Sequence, residues 1–283
     1  MTILVTGATG HLGRHVVEAL LARGVPPGDI VATGRRTAVL ADLAERGVRT
    51  ALADYDDPAS LDAAFAGADK LFFASGTEVA RRLGQHRTVV DAAVRAGIGH
   101  VVYTSAPHAD VSSLPVNPDH RATEEMLAAS GLATTVLRNN WYSENYRAEL
   151  GMARDTGLVV SATAGGKVAS AARKDFAEAA AAVLTQDGHE GRTYELAGDV
   201  AWDYDELAAL LSELTGREVT HLHVTPDERR AGLVEAGLPE GVASFATAID
   251  EAIAGGALAD SDGTLRRLID HPTTPLRDTL AAD

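Results

Sequence analysis

Short apolar runs alternate with amphipathic stretches along the first half of the chain. The apolar runs are rich in β-branched residues and predict strands at residues 2–6, 29–34, 48–54, 70–75, 100–105 and 133–139. The stretches between them carry apolar side chains at helical spacing, as Leu12, Val16 and Leu20 do before Gly24. Strands that alternate with helices of this length indicate βαβ units and hence a parallel sheet.

The second half of the chain has a less regular pattern. A strand near 158–161 and a helix from Asp175 are expected to continue the sheet, and shorter segments follow. We therefore predict an α/β fold with a Rossmann-type doubly wound parallel sheet in residues 1–150, continued by about 155–188. Residues 189–283 are predicted to form a smaller C-terminal α/β lobe over the carboxyl ends of the strands, where such sheets bind ligands. This lobe would shape the substrate pocket.

Composition narrows the classes of function. The chain has 283 residues, a formal net charge of −15 and no cysteine. Nucleic acids and anionic membranes are poor partners for so acidic a chain, because both are polyanions. Without thiols or a clustered metal-ligand motif we expect no metal site, and no apolar run is long enough for a membrane span. The expectation is a cytoplasmic protein, monomer or homodimer, that acts on a small molecule.

A glycine-rich segment joins the first predicted strand to the first predicted helix. Its spacing is G-x-x-G-x-x-G, one residue longer than the common dinucleotide fingerprint. A pyrophosphate can approach backbone that lacks Cβ atoms, and the N–H groups at a helix start attract an anion. The alternative is a tight turn that binds no ligand. In this strand–turn–helix setting we expect a dinucleotide pyrophosphate to contact Gly7, Ala8, Thr9, Gly10, His11, Leu12 and Gly13.

The end of the second predicted strand indicates which dinucleotide is bound. An NAD site usually has an acidic residue there, for the ribose 2′-hydroxyl. This chain has Gly34, Arg35 and Arg36 instead. An arginine can bind a 2′-phosphate that an acid would repel. We therefore expect NADPH as cofactor, with Arg35 at the 2′-phosphate. An exposed pair of arginines at a helix start is the alternative.

Several longer segments resemble one known family. The segments VTGATGHLG, HVVYTSAPHAD and TVLRNNWYSENY are similar to those of the NmrA-like branch of the atypical short-chain dehydrogenases. Within that branch the chain resembles the bacterial type 2 NAD(P)H:quinone oxidoreductases, and the triphenylmethane dye reductases are near relatives. The resemblance covers essentially the whole chain. It implies a Rossmann-type fold, NADPH as cofactor and a quinone or dye-like substrate.

The resemblance also implies further cofactor contacts. Ser75 and Gly76, after the fourth predicted strand, would line the adenosine or ribose, and Arg173 would reach the cofactor. Residues after the sixth predicted strand would line the nicotinamide pocket, namely Asn139, Asn140, Trp141 and Tyr142. For Trp141 and Tyr142 a role in packing remains an equal alternative.

The usual catalytic pair of short-chain dehydrogenases is missing. Those enzymes use Tyr-x-x-x-Lys, in which the lysine lowers the pKa of the tyrosine. No tyrosine in this chain is followed by a lysine four residues later. The corresponding helix has His120, which we take as a candidate proton donor, and Ser105 ends the fifth predicted strand where the catalytic serine would be. Supporting roles for both residues are the alternatives.

Two functions of different classes fit the sequence. The first is an NADPH-dependent oxidoreductase that transfers a hydride to a quinone or a similar flat electrophilic ring without the Tyr-x-x-x-Lys dyad, or to a triphenylmethane-like dye. Such acceptors need little proton assistance, since the charge formed on a quinone is delocalised and a cationic dye is neutralised. The second is a non-catalytic NADP-sensing regulatory protein of NmrA type. The segment NNWYSENY favours the enzyme.

Overall fold

Nine strands form a large and a small sheet. The computed structural model describes residues 1–282, and its strands are β1 (Ile3–Val5), β2 (Ile30–Gly34), β3 (Arg49–Leu52), β4 (Lys70–Phe73), β5 (His100–Ser105), β6 (Thr134–Asn139), β7 (Leu158–Ser161), β8 (Thr193–Leu196) and β9 (Thr220–His223). The large sheet has the order β3-β2-β1-β4-β5-β6-β8, and all its pairs are parallel. This arrangement confirms the predicted Rossmann-type sheet.

Helices cover both faces of the large sheet. Twelve α-helices lie within residues 1–282: α1 (His11–Ala22), α2 (Ala41–Glu45), α3 (Pro58–Phe65), α4 (Val79–Ala96), α5 (Asn117–Ala129), α6 (Arg147–Thr156), α7 (Arg173–Thr185), α8 (Tyr204–Thr215), α9 (Pro226–Glu235), α10 (Glu240–Ala254), α11 (Thr264–Ile269) and α12 (Leu276–Ala281). Apolar side chains of α1 and α7 form one core with the sheet, and those of α3, α4 and α5 form a second core on the opposite face. Strands covered on both faces are apolar throughout, which explains the uninterrupted hydrophobic runs.

The small sheet corrects one prediction. The strand at 158–161 does not continue the large sheet, because β7 pairs in parallel with β9 in a separate two-stranded sheet. The seventh strand of the large sheet is β8, which the sequence analysis assigned to the lobe. An apolar run identifies a strand but not the strand with which it pairs. The partner of β7 depends on the position of the chain after α6. The predicted lobe, 189–283, ends at Asp283, which lies outside the described residues.

A third apolar core holds the smaller lobe together. It joins α6, α8 and α10 around aromatic side chains, among them Tyr146, Trp202 and Tyr204. The ring centroids of Tyr146 and Trp202 are 4.6 Å apart in an edge-to-face arrangement. The Asn140 side chain, after β6, donates to the Leu258 carbonyl at 3.1 Å and so ties the lobe to the carboxyl end of the large sheet.

The α-helices fall short of the requirements for a membrane span. Within residues 1–282, none of them combines the length and the apolar composition that crossing a bilayer requires.

Candidate active site

The loop between β1 and α1 has the shape of an anion cradle. Gly7 has a φ of +66°, in the left-handed region that glycine adopts without strain. The Gly10 N–H donates to the Gly7 carbonyl at 2.9 Å and closes the turn. A Cβ built on Gly13 would overlap the carbonyl group of Gly7, so only glycine lets α1 approach the loop this closely. The glycines therefore bring the helix start and the turn together, as predicted.

The start of α1 presents backbone donors rather than side chains. Gly10 is the N-cap residue and has no side-chain acceptor, and the first turn of α1 carries no acidic residue. The N–H groups of a first helical turn have no partner within the helix, and those of Leu12 and Gly13 belong to this turn. Gly10 and His11 are exposed, and Leu12 is half-buried. An anion placed here would meet backbone N–H groups and the positive end of the helix dipole.

The rest of the loop is anchored to β2. The Ala8 N–H donates to the Thr33 carbonyl at 2.8 Å. A Cβ on Gly34 would come within 2.6 Å of the Thr9 side chain, so Gly34 leaves the space that Thr9 fills. Sequence analysis did not assign this role to Gly34. The sequence signal for this role was a glycine at the end of the strand that lies beside the phosphate-binding loop.

Arg35 lies at the carboxyl end of β2, where the sequence analysis expected it. Its side chain is 61% exposed, and its Nη1 is 2.8 Å from Oε1 of Glu78, which directly precedes α4. Arg36, next in the chain, is exposed. An arginine held in place at the surface beside the glycine loop is available to a phosphate group.

The backbone of Ser75 and Gly76 is held by side chains from two neighbouring elements, β5 and α4. The Ser75 N–H donates to Thr104 Oγ1 at 2.9 Å, and the Gly76 N–H donates to His86 Nε2 at 2.9 Å. Arg82 Nε donates to the Gly76 carbonyl at 2.7 Å. Burial, with smaller effects of His120 and Arg82, lowers the pKa of His86 to about 3. The neutral ring can therefore accept the Gly76 hydrogen bond at neutral pH.

His86 and Arg82, which hold this loop, are side chains that the sequence analysis missed. Both lie on α4 and are buried, with 0% and 6% relative exposure. A histidine and an arginine four residues apart on a helix predict only a common face. Their role in fixing the loop after β4 depends on the packing of α4 against that loop.

Asn139 at the end of β6 has a buried side chain that is free to bind a ligand. It is 6% exposed, and neither its Oδ1 nor its Nδ2 has a hydrogen-bond partner within residues 1–282. A buried amide without partners is costly, since most such groups in folded proteins are paired. An amide can both donate and accept, which makes Asn139 a suitable partner for another amide.

Asn140, by contrast, is used within the protein. Its Nδ2 donates to the Leu258 carbonyl, and its Oδ1 accepts from the Trp141 N–H at 2.6 Å. Its backbone N–H donates to the Leu196 carbonyl at 2.8 Å. Both side-chain groups of Asn140 therefore have partners within the protein, and its contact with the cofactor stays a prediction.

Tyr142 and Arg173 lie against each other. The Arg173 guanidinium carbon is 4.8 Å from the centroid of the Tyr142 ring, a cation–π arrangement. The same ring packs edge-on against Phe176 at 5.4 Å, while Trp141 packs against the core of the lobe. Arg173 also donates to Asn145 Oδ1 at 2.8 Å. The sequence analysis expected Tyr142 and Arg173 each to contact the cofactor, and in the structure their side chains are in contact with each other.

Ser105 belongs to a network of charged groups beneath the carboxyl end of the sheet. Its Oγ donates to Glu124 Oε1 at 2.5 Å. Arg138 donates to the same carboxylate from Nε and Nη2, at 3.0 and 2.6 Å, and from Nη1 to Glu195 at 3.0 Å. A hydroxyl that donates to a carboxylate in this way is positioned by it. This hydrogen bond is compatible with the supporting role that is one of the two alternatives for Ser105.

His120, the candidate proton donor, lies in the core of the protein. The ring is 6% exposed, and its Nδ1 is 2.8 Å from the Tyr103 hydroxyl in the core between the sheet and α5. Burial, together with the positive charge of Arg82, lowers the pKa of His120 to about 3. At neutral pH the ring is therefore uncharged and enclosed. A proton donor to a bound substrate needs the opposite: a proton to give and access to the cleft.

A different histidine is partly exposed at the carboxyl end of the large sheet. His108 follows β5, and 32% of its side chain is exposed. Its Nδ1 is 3.5 Å from Glu195 at the end of β8, and its Nε2 is 3.5 Å from Asp260 in the lobe. His108 has a φ of +48°, which is uncommon outside glycine and typical of strained functional positions. The sequence analysis had no signal that joined these three residues.

The features of this site fit a nicotinamide dinucleotide. The first is the glycine loop, in which a Cβ at Gly13 would overlap the backbone of Gly7. The others are Arg35 at the end of the adjacent strand and the buried, unpartnered amide of Asn139. The chain has no cysteine, so its own side chains offer no thiol for redox chemistry. The arrangement can hold a cofactor along the carboxyl ends of β1 to β6 and a second molecule beneath the lobe.

Known proteins share this whole architecture. The chain matches the NmrA-like family over residues 1–256. It is 44% identical over 279 residues to quinone oxidoreductase 2 of Escherichia coli strain K12, covering 99% of this chain and 97% of that protein. A crystal structure of the E. coli NADPH-dependent quinone oxidoreductase complexed with NADPH has a TM-score of 0.95 and covers 99% of each chain.

A second solved structure is nearly as similar. The Citrobacter triphenylmethane reductase complexed with NADP(H) has a TM-score of 0.93 and 39% identity, and the match covers 99% of this chain and 100% of that one. The matches span the glycine loop, the sheet and the lobe, and so confirm the resemblance inferred from the sequence motifs. The chain belongs to the NmrA-like family.

Proposed function

We propose that this protein is an NADPH-dependent oxidoreductase that transfers a hydride to a quinone or to a similar flat electrophilic ring. The observation that carries the proposal is its full-length similarity to E. coli quinone oxidoreductase 2, at 44% identity. The geometry supports it, because the glycine cradle, Arg35 and Asn139 lie along one edge of the sheet. When bound there, NADPH supplies the hydride.

The protein offers a chemically suitable group for each part of the cofactor. Residues 7–13 would bind the pyrophosphate through backbone N–H groups, and Arg35 would bind the 2′-phosphate. The fixed backbone of Ser75 and Gly76 would line the adenosine side. Asn139 would pair with the nicotinamide carboxamide, since its buried amide has both a donor and an acceptor to satisfy. Arg173, stacked on Tyr142, would close the same end.

Positioning is the main contribution of this chain to catalysis. Tyr142 is held between Arg173 and Phe176, and Asn140 fixes the loop after β6 to the lobe. A rigid wall of this kind holds a flat acceptor in one orientation and excludes water from its reacting face. Geometry alone can lower a barrier substantially when the two reactants are held in contact. No tuned tyrosine is then required.

The proton that completes quinone reduction is assigned to His108 or to water beside it. The negative charge formed on a reduced quinone is delocalised over the ring, so a strong general acid is unnecessary. His108 is partly exposed and lies between the carboxylates of Glu195 and Asp260. His120 is enclosed and uncharged, so we give it a structural role.

The reaction is tested by turnover of the purified, flavin-free protein with a panel of quinones and cationic dyes. A primary isotope effect on NADPH consumption, measured with C4-deuterated NADPH in a single turnover, would support direct hydride transfer. Tight NADPH binding without turnover of any acceptor would contradict the proposal and favour a non-catalytic NADP-sensing role. The isotope effect is the better observable, because label transferred to a hydroquinone can exchange with water.

Dye reduction is the second candidate. The observation that favours it is the similarity to Citrobacter triphenylmethane reductase, at 39% identity over 99% of this chain. Hydride addition neutralises a cationic dye and needs no proton. The same panel separates the two activities: a specificity constant higher for dyes than for every quinone would favour the dye reductase.

The remaining parts of the proposal concern partners and location. A net charge of −15 argues against nucleic acid as a partner, so the partner we propose is the small-molecule acceptor. We propose a cytoplasmic enzyme, monomer or homodimer, because NADPH is supplied inside the cell. Cell fractionation and light scattering on the purified protein test these two points.

A further inference from the structure

Two histidines of the lobe lie on one face of a strand. His221 and His223 are two residues apart on β9, so both side chains project to the same side. Their ring centroids are 3.9 Å apart. Asp205, in the first turn of α8, faces them: its Oδ1 is 2.7 Å from His221 Nδ1 and 3.2 Å from His223 Nε2.

We propose that Asp205, His221 and His223 form a binding site for one divalent transition-metal cation of the zinc class. Each residue offers one ligand atom, and the three atoms lie within 4.8 Å of one another. A tetrahedral ion with metal–ligand distances of about 2.0–2.2 Å separates its ligands by roughly 3.3–3.6 Å. Small side-chain rotations therefore suffice to coordinate the ion.

The ligand types select the class of cation. Two imidazole nitrogens and one carboxylate oxygen suit Zn²⁺, Co²⁺, Ni²⁺ or Cu²⁺, whereas Mg²⁺ and Ca²⁺ prefer oxygen ligands alone. Three protein ligands leave at least one position for water. The negative charge of Asp205 offsets part of the charge of the cation.

The surroundings of His221 resemble the support that metal-binding histidines need. Its ring is 2% exposed, and its Nε2 is 2.8 Å from Ser161 Oγ, which in turn is 3.0 Å from Thr163 Oγ1. A hydrogen bond at the far nitrogen fixes the orientation of the ring and leaves Nδ1 directed at Asp205. Buried hydroxyl groups therefore support the His221 ring from the side that faces away from Asp205.

Both supporting elements hold their ligands in place, and the site is open to solvent. Asp203 caps α8 in a capping box with Glu206, which fixes the turn that carries Asp205. Asp205 and His223 are 68% and 52% exposed, so a cation can enter. His223 also lines an open surface cavity with two acidic residues, Glu228 and Glu251, which attract cations.

The site is independent of the proposed reductase function, because its residues lie on α8 and β9 of the lobe. A bound cation would link these two elements and stabilise the lobe. The sequence analysis expected no metal site. Asp205 is 16 residues from His221 and on a different element, so no local motif joined the three.

The test is calorimetric titration of the untagged, full-length, chelator-treated protein with Zn²⁺, repeated with Co²⁺ to record its visible absorption bands. We expect one ion per chain and a raised melting temperature, because the ion binds the folded protein. His223→Gln and Asp205→Asn should each weaken binding by more than ~100-fold, the upper limit for loss of an outer-shell partner. Ser161→Ala should weaken it by ~10-fold.

His271→Gln is the matched control, since His271 is a surface histidine paired with one carboxylate, Glu178, at 2.7 Å. This variant should bind Zn²⁺ as the parent does. Absence of binding by the parent would overturn the proposal. So would unchanged affinity in both folded ligand variants, or an equal loss in His271→Gln, because each result would show binding elsewhere.

Discussion

Arg35 Nη1 lies 2.8 Å from Oε1 of Glu78, and this ion pair links the carboxyl end of β2 to the start of α4. Both side chains are exposed, at 61% and 37%. Exposed ion pairs contribute only about 0–1 kcal/mol, whereas a phosphate monoester carries a charge of roughly −1.5 to −2. Glu78 thus competes weakly for the arginine that we assign to the 2′-phosphate of NADPH.

Removing the arginine should lower the affinity for NADPH selectively. A charge-assisted hydrogen bond contributes about 1.5–3 kcal/mol, so Arg35→Ala should raise the Kd for NADPH by about tenfold or more. The Kd for NADH should hardly change, since NADH has no 2′-phosphate. Arg36→Ala is the control for loss of positive charge nearby. Equal losses for the two cofactors in Arg35→Ala would contradict the assignment, and calorimetry measures both.

Removing the competing carboxylate should have the opposite effect. Glu78→Gln frees Arg35 and removes a charge that repels the phosphate, so the Kd for NADPH should fall by up to about fivefold, equivalent to ~1 kcal/mol. The affinity for NADH should stay the same. Weaker NADPH binding in a variant with an unchanged melting temperature would show that Glu78 supports the site rather than competes with it.

Gly10 and Gly13 should respond differently to substitution. A Cβ on Gly10 lies 3.3 Å from the Gly7 carbonyl oxygen, and the extended backbone of Gly10, with φ of −102° and ψ of 172°, suits valine. Gly10→Val should therefore fold with a nearly unchanged melting temperature and lose dinucleotide binding. Gly13→Ala should lose stability, typically 1–3 kcal/mol, because its Cβ overlaps the Gly7 carbonyl. Retained NADPH affinity in folded Gly10→Val would exclude the loop as the phosphate site.

The buried His120 should make stability depend on pH. Its pKa is about 3 in the folded protein and near 6.5 in the unfolded chain, so the unfolded state binds more protons between these values. The free energy of unfolding then falls as the pH drops below about 6.5, by ~1.4 kcal/mol per pH unit. Between pH ~6.5 and ~5 this group accounts for a loss of roughly 2 kcal/mol.

His120→Asn tests this contribution, because the asparagine amide can replace Nδ1 in the hydrogen bond to Tyr103. Urea denaturation of both proteins near pH 7 and pH 5 measures the free energy of unfolding. The parent should lose about 2 kcal/mol more than the variant over this range. Identical losses would mean that His120 is accessible to protons in the folded state.

Turnover should depend on His108 and not on His120. His108→Gln should lower kcat with a quinone by about tenfold to 10²-fold, at or below the usual effect of a general acid, because the acceptor needs little proton assistance. His120→Asn should leave kcat within about threefold of the parent, since the ring is enclosed. The solvent isotope effect on kcat should be confined to acceptors that take up a proton. A larger loss in His120→Asn than in His108→Gln would reverse the assignment.

Local patterns explain why much of the fold was predictable. The central strands of the large sheet are largely apolar because helices cover both faces, and Gly7, Gly10 and Gly13 occur at the first strand-to-helix turn. Both signals lie within a few residues of the structure that they specify. The sequence analysis assigned β7 to the large sheet and β8 to the lobe, and the structure shows the reverse. This error has a long-range cause. Each is a short strand, and its partner is chosen by the packing of segments far apart in the chain.

The residues of the candidate site also fall into two groups, those that local sequence predicts and those that it does not. Arg35 directly follows β2 and Asn139 ends β6, so the sequence placed them at the ligand-binding edge. His120 lies on a helix, where rotation about the helix axis decides between cleft and core, and the packing against Tyr103 placed it in the core. The histidine at the cleft, His108, depends on Glu195 and Asp260, which come from a distant strand and from the lobe.

The sequence by itself therefore determined the class of fold, the glycine loop and the choice of NADPH, because these follow from short-range periodicity, glycine geometry and the charge of one arginine. Tertiary structure alone decided which histidine faces the cleft, which asparagine keeps a free amide and which acids meet His221 and His223. Those properties depend on contacts between residues many positions apart. Burial, hydrogen-bond partners and pKa values come from such contacts and not from local sequence.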